Sequence, residues 1–302
     1  MDHKRYIAEE VVEDYADGVI SRREALRRLV LVGLTVTSSA ALLAACERQE
    51  AQRRAGATPT AQATSPTVSP QPSPARALPT EPITFPGPAG NVQGAWAKAA
   101  PARGGVLVIH ENRGLNDHIR SVAGRLAAEG YSSLAVDLLS HEGGTASLGD
   151  PANAMAALTR TAPERFIGDM RAALDEIGRR EANAKLGIVG FCFGGMQVWN
   201  LLNAGEPRLA AAVPFYGPAP ENPDFSRSRA AVLAVYAELD QRVNATRDRA
   251  VAALQRAGLT HEVITYPGAD HAFFNDTGPR YNAQAASEAY RAMLDWFGRH
   301  LA

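Results

Sequence analysis

Cys192 is the residue most able to do covalent chemistry. It stands in Gly190-Phe191-Cys192-Phe193-Gly194, the G-x-S-x-G nucleophile elbow with cysteine in the serine place. Glycine at both ends leaves out Cβ where a strand and the following helix pass closely, so the central residue can take a strained turn. Such a turn lifts the sulfur above a sheet edge and sets the Phe193 N–H beside it, as a nucleophile next to an oxyanion donor requires. A free cysteine is more often a small buried hydrophobe, so the elbow needs partners. Asp240 follows the apolar run Val232 to Tyr236, and His271 follows Tyr266-Pro267 in Gly268-Ala269-Asp270-His271-Ala272-Phe273. Alone, the first would read as a helix cap or turn residue and the second as a loop histidine. Together, and in this order, they supply what a thiol needs. With an ordinary pKa of about 8.5 a thiol is mostly protonated at neutral pH, so a base must take its proton and an acid must orient that base. Glu111, just past the apolar run Val106 to Ile109, is a second group able to take it.

The elements that must position these residues are legible in the hydrophobic pattern. Ile83 to Phe85 and Val92 to Ala97 read as a hairpin around Pro86-Gly87-Pro88. Gly105 to Ile109 is a continuous apolar run, as in a strand buried on both faces. Asp117 to Glu129 has helical apolar spacing and stops at Gly130; Ser132 to Val136 is the next strand. Thr161-Ala-Pro-Glu164 fits a capping box, followed by one apolar face through Phe166, Met170, Leu174 and Ile177. Then come the elbow strand Leu186 to Val189, its helix Gly195 to Asn203, strands over Leu209 to Phe215 and Ala231 to Tyr236, a helix over Asn244 to Ala257, a strand over His261 to Tyr266, and a last helix over Ala283 to Phe297. Alternating strands and helices predict an open, mostly parallel α/β sheet with helices on both faces. Ligands of such sheets sit beyond the carboxyl ends of the strands, where Glu111, Cys192, Asp240 and His271 all fall.

The order nucleophile, acid, histidine is that of the α/β-hydrolase fold. The cysteine elbow, the glutamate and the Asp and His contexts resemble the dienelactone hydrolase (carboxymethylenebutenolidase) family over most of residues 83–302, most strongly at His110 to Leu115, Val189 to Gly195, Leu239-Asp240 and Asp270 to Phe273. The resemblance implies a Cys192–His271–Asp240 triad that cleaves a small ester, lactone or thioester through a cysteinyl-acyl intermediate. It also implies an oxyanion hole from the backbone N–H groups of Phe193 and Asn112. Glu111 matches the glutamate that holds the resting thiol away from histidine and takes part in its activation.

The chain departs from the family at two arginines that bind a substrate carboxylate. After the strand end it has Asp137-Leu138-Leu139-Ser140-His141, and after the histidine it has Asn275. Without those bidentate forks, dienelactone itself is not the expected substrate. Arg113, His141 and Tyr216 are the candidates to line the substrate pocket; Arg280 is also near in sequence. No metal is expected, because His110, Glu111 and Asp117-His118 lack metal-ligand spacing, and no cofactor motif is present.

Net charge is −1, so nucleic acid is not an expected partner. Two cysteines in unlike contexts exclude a disulfide framework. The N-terminus reads as an export signal over residues 1–46. Ser21-Arg22-Arg23-Glu24-Ala25-Leu26 resembles a twin-arginine motif, Leu29 to Ala45 is uncharged, and Leu43-Ala44-Ala45-Cys46 resembles a lipobox whose cysteine is lipidated. Residues 47–82, rich in Pro, Ala, Thr and Ser, read as a linker able to hold a domain up to about 100 Å from a membrane. Residues 83–302 form the hydrolase domain. The expected partners are therefore a small ester or lactone, the export machinery and, through Cys46, a membrane, with the domain exported to the periplasm or cell surface. Two alternatives carry no turnover: a surface lipoprotein using the scaffold for binding, and a redox-sensing thiol.

Overall fold

The computed structural model describes residues 3–56 and 76–302. The chain divides into two compact units, residues 2–74 and 75–302. The first carries helices α1 (His3–Ala16), α2 (Arg22–Leu31) and α3 (Val36–Gly56). Ser21 opens α2 by accepting the Glu24 N–H at 3.3 Å, so the serine before the arginine pair has a capping role. The uncharged stretch from Leu29 is not one helix. It breaks at Gly33, where φ is 94°, and Thr35 restarts it by accepting the Ser38 N–H at 3.1 Å. Lys4 Nζ donates to the Gly33 carbonyl at 2.8 Å and the Tyr15 hydroxyl to Glu47, joining α1 to its neighbours. Among the described residues no helix is long and apolar enough to cross a membrane.

The linker expected from Glu47 is corrected at its start, because α3 continues to Gly56. Residues 47–55 are all Glu, Arg, Gln or Ala, which favour helix, and the first proline comes only at Pro59. Residues 57–75 of that linker lie outside the described residues.

The second unit is built on one eight-stranded sheet. Its elements are β1 (Glu81–Gly87), β2 (Gly90–Ala97), β3 (Gly104–Ile109), α4 (Asp117–Ala128), β4 (Tyr131–Asp137), a 3₁₀ turn at 140–142, α5 (Thr145–Leu148), α6 (Pro151–Arg160), α7 (Pro163–Arg180), β5 (Leu186–Phe191), α8 (Phe193–Asn203), β6 (Leu209–Phe215), β7 (Ala231–Ala237), α9 (Gln241–Asn244), α10 (Arg247–Arg256), β8 (His261–Tyr266) and α11 (Ala283–His300). The strand order is β1-β2-β4-β3-β5-β6-β7-β8. Strands β3 to β8 are parallel, and β2 pairs antiparallel with both β1 and β4. Every residue of β3, β4, β5 and β7 is buried, as the apolar runs of β3, β5 and β7 require; Ser132 and Ser133 of β4 are hydrogen-bonded inside, to the Ala99 N–H and the Tyr131 carbonyl. The order reverses at β3, so the carboxyl ends of β3 and β5 flank the crevice where such sheets place their ligands.

Several local expectations change. The hairpin turn is Pro88-Ala89, with Pro86 and Gly87 still paired to β2; β1 is an edge strand, where proline costs no ladder bond. The Thr161 capping box does not form. Its hydroxyl serves the preceding helix by donating to the Ala157 carbonyl at 3.0 Å, and α7 starts on Pro163 instead. The helix expected over 244–257 divides into α9 and α10 around Thr246, whose hydroxyl accepts the Ala219 N–H at 3.0 Å. Two further helices, α5 and α6, lie between β4 and α7; Asp150 caps α6 by accepting the Ala152 N–H at 2.8 Å, and Pro151 follows at its first position.

Candidate active site

The elbow follows from missing atoms. Cys192 sits between β5 and α8 with φ 57° and ψ −117°, a conformation costing about 1–3 kcal/mol in an L-residue. A Cβ on Gly190 would lie 2.2 Å from the Gly194 carbonyl oxygen, and one on Gly194 would lie 2.4 Å from the Ile109 oxygen. Only glycine lets β5, α8 and the end of β3 meet. The Cys192 N–H donates to the Phe215 carbonyl at 3.1 Å, and its own carbonyl accepts the Met196 N–H at 3.1 Å. The strained residue is thus anchored on both sides.

Asp240 and His271 converge on the sulfur from the ends of β7 and β8. The His271 Nδ1 lies 2.6 Å from Asp240 Oδ2, with both side chains buried. The other carboxylate oxygen accepts the Val243 N–H at 3.0 Å and caps α9. The cap and the orienting acid are therefore one residue, with one oxygen for each task. Asp270 fixes the histidine backbone by accepting its N–H at 2.7 Å. The Cys192 sulfur lies within 4.8 Å of a ring nitrogen of His271. With Nδ1 engaged by Asp240, Nε2 is the nitrogen that can exchange a proton with sulfur.

Glu111 lies across the crevice at the end of β3. Its Oε2 accepts the Asn275 amide at 2.6 Å. The Asn275 oxygen accepts from the Thr277 N–H at 3.0 Å and hydroxyl at 2.7 Å, which fixes the amide orientation. Asn275, a position noted only for the arginine it lacks, is thus the residue holding Glu111. Tyr216 stands in the same group with its ring 5.2 Å from His271. Burial first, then the charges of Glu111 and Cys192 beside it, pushes its phenol well above the ordinary value.

The loop after β3 is held rigidly. The Gly114 N–H donates to the Glu111 carbonyl at 3.3 Å, and the Leu115 N–H donates to the Thr145 hydroxyl at 2.9 Å. Thr145 in turn donates to Asp137 through its N–H at 2.7 Å and its hydroxyl at 2.8 Å. Gly114 has φ +78°, and a Cβ there would lie 2.2 Å from that same hydroxyl. Asn112 is buried and Arg113 half-buried. Phe193 opens α8, with its ring stacked on His110 at 6.1 Å and edge-on to Phe166 at 5.4 Å.

The structure does not bring His141 to this group. Its Nε2 lies 3.1 Å from Asp169 Oδ1 on α7, and its ring faces Gly90 of the hairpin. It braces the segment after β4 because buried Asp169 needs a partner: burial raises that carboxyl, and the bond from His141 lowers it. Arg280 faces Asp270 at 3.9 Å. Cys46 lies within α3 of the first unit.

Comparison with known proteins shows the family. The family model for the dienelactone hydrolase family matches residues 93–301. The chain belongs to that family. A candidate carboxymethylenebutenolidase of Methylorubrum extorquens is 34% identical over 222 residues, spanning 67% of this chain and 76% of that one. The crystal structure of a candidate dienelactone hydrolase from Klebsiella pneumoniae subsp. pneumoniae superposes with TM-score 0.65 at 28% identity, covering 73% of this chain and 98% of the other. A dienelactone hydrolase-like promiscuous phosphotriesterase from metagenomic libraries gives TM-score 0.61 at 25% identity, covering 75% and 100%. As a dienelactone hydrolase family member the chain has the α/β-hydrolase fold and is a hydrolase.

Proposed function

We propose that this dienelactone hydrolase family member cleaves small esters or lactones through a thioester on Cys192, with His271 and Asp240 completing the triad. The observation that carries the reading is the His271 imidazole, held at Nδ1 by Asp240 at 2.6 Å and within 4.8 Å of the Cys192 sulfur. The thiol proton passes to His271 Nε2, directly or by way of Glu111, and the thiolate attacks the carbonyl carbon. The carbonyl π electrons move to oxygen, which the N–H groups of Asn112 and Phe193 receive. Collapse breaks the carbon–oxygen single bond, and the leaving alkoxide takes a proton from His271. Water, deprotonated by the same imidazole, then attacks the thioester and releases the acid and the thiol.

Asn275 bears on the substrate class. A neutral amide holds Glu111 where the family resemblance implied a cation for a substrate carboxylate, so uncharged esters and lactones suit the site better than dienelactone. The N-terminal pattern supports an exported protein anchored through a lipid on Cys46. The test is hydrolysis of p-nitrophenyl acetate, a lactone panel and a phosphotriester, the class named for the metagenomic relative. We expect a nitrophenol burst with Cys192 acylated in the intact mass, its loss in Cys192→Ala, and a fall of about 10³-fold or more in His271→Ala. Turnover surviving in Cys192→Ala would refute the triad. A mass gain at Cys192 with peroxide but none with any ester would favour a redox thiol.

A further inference from the structure

We infer that His110 is a positioning residue that aims the oxyanion-binding amide: its ring N–H grips the Glu111 carbonyl and so turns the Asn112 N–H toward the reacting carbonyl. This role rests on the Cys192 reading above. His110 Nδ1 lies 2.6 Å from the Glu111 carbonyl oxygen. On the other side of the ring, Nε2 accepts the Leu138 N–H at 3.2 Å. A nitrogen that accepts from an amide carries no proton, so the proton is on Nδ1 and the ring donates to Glu111. The Glu111 carbonyl and the Asn112 N–H belong to one planar trans peptide and point in opposite directions. Fixing the oxygen therefore fixes the N–H. Among the described residues no acceptor takes the Asn112 N–H, although Asn112 is buried, a state in which an amide ordinarily finds a partner.

The ring also links the two amides. It stacks on Phe193 at 6.1 Å with 15° between planes, and Phe193 supplies the second proposed oxyanion N–H. The His110 carbonyl lies against Gly194, where an added Cβ would fall 2.7 Å from it. One buried imidazole thus sets the residue at the end of β3 and contacts the residue opening α8. Burial, the largest influence, lowers its pKa against the opposing charge of Asp137 and keeps the ring neutral, so it retains an acceptor for Leu138 and a donor for Glu111.

Acylation and alkylation of Cys192 separate this role from a general structural one. Acylation by p-nitrophenyl acetate needs the oxyanion donors; alkylation by iodoacetamide needs the thiolate alone. In His110→Phe we expect acylation to slow about 30- to 100-fold, as when an oxyanion donor is lost, with alkylation within about threefold of the parent. His110→Asn puts an amide N–H at the Nδ1 position and should recover most of the acylation rate. His110→Gln, whose amide reaches only the Nε2 position, should not, and this pair serves if the Phe variant does not fold by circular dichroism. The inference is overturned if acylation and alkylation slow together, if His110→Phe acylates at the parent rate, or if Asn fares no better than Gln. A nitrophenol burst persisting in Cys192→Ala would instead sink the Cys192 reading, whatever His110 does.

Discussion

At the residue scale the site stores strain where chemistry is proposed. Cys192 holds φ 57° and ψ −117°, which glycine adopts without a Cβ penalty. In urea melts Cys192→Gly is therefore expected to be more stable than Cys192→Ala by about 1 kcal/mol, the reverse of the usual Gly–Ala order. Equal stabilities would show that the elbow stores no strain. His110 makes a pH prediction. Its folded pKa lies below the ordinary 6.5, because burial outweighs the Asp137 charge. The unfolded chain thus binds a proton more readily than the folded one as pH falls below that value. Stability from keeping His110 neutral is present above about pH 6.5 and is lost below it, at no more than about 1.4 kcal/mol per pH unit. Melts at pH 7.5 and 5.5 should show this loss, and His110→Asn should reduce it; an unchanged difference would assign it to other groups.

At the scale of elements, function depends on how closely three backbones meet. The end of β3, the turn after β5 and the start of α8 touch through Gly190 and Gly194, where a Cβ would fall 2.2 Å and 2.4 Å from carbonyl oxygens. Backbone cannot yield as a flexible side chain can. Gly194→Ala is expected to cost about 3 kcal/mol or more and to abolish esterase activity. Gly178→Ala on α7, where a Cβ meets nothing within 4 Å, should stabilise by up to about 1 kcal/mol. Denaturant midpoints of both variants check the pair, and a Gly194→Ala midpoint equal to the parent's would contradict the close approach. The runs of β3, β5 and β7 were readable because strands buried on both faces are mostly apolar throughout. Thr161 misled because a hydroxyl that fits a capping box also fits the last turn of the helix before it, and packing decides between them.

At the scale of the whole molecule, the two compact units carry separate proposals. The hydrolase unit, residues 75–302, matches the family from residue 93 to 301. The first unit carries the twin-arginine-like and lipobox-like motifs. Labelled fatty acid fed to cells making the parent and Cys46→Ala is expected to appear in the parent alone. An unlabelled parent would remove the anchor.

The sequence by itself determined the parallel sheet, since unbroken apolar runs between amphipathic segments have few other solutions. It also marked Cys192, because a turn that needs glycine at two fixed offsets leaves a local mark, and placed Glu111, Asp240 and His271 just past apolar runs that end as strands. Only the tertiary structure decided that Asn275 holds Glu111, 164 positions away, that Asp240 caps a helix with one oxygen while holding His271 with the other, that His141 turns to Asp169 and not to the sulfur, and that His110 grips the peptide before Asn112. The reason is physical. Apolar period and glycine spacing are properties of neighbouring residues. A buried polar atom takes whichever partner the packed chain brings within about 3 Å, and that choice is made between segments with no common pattern along the chain.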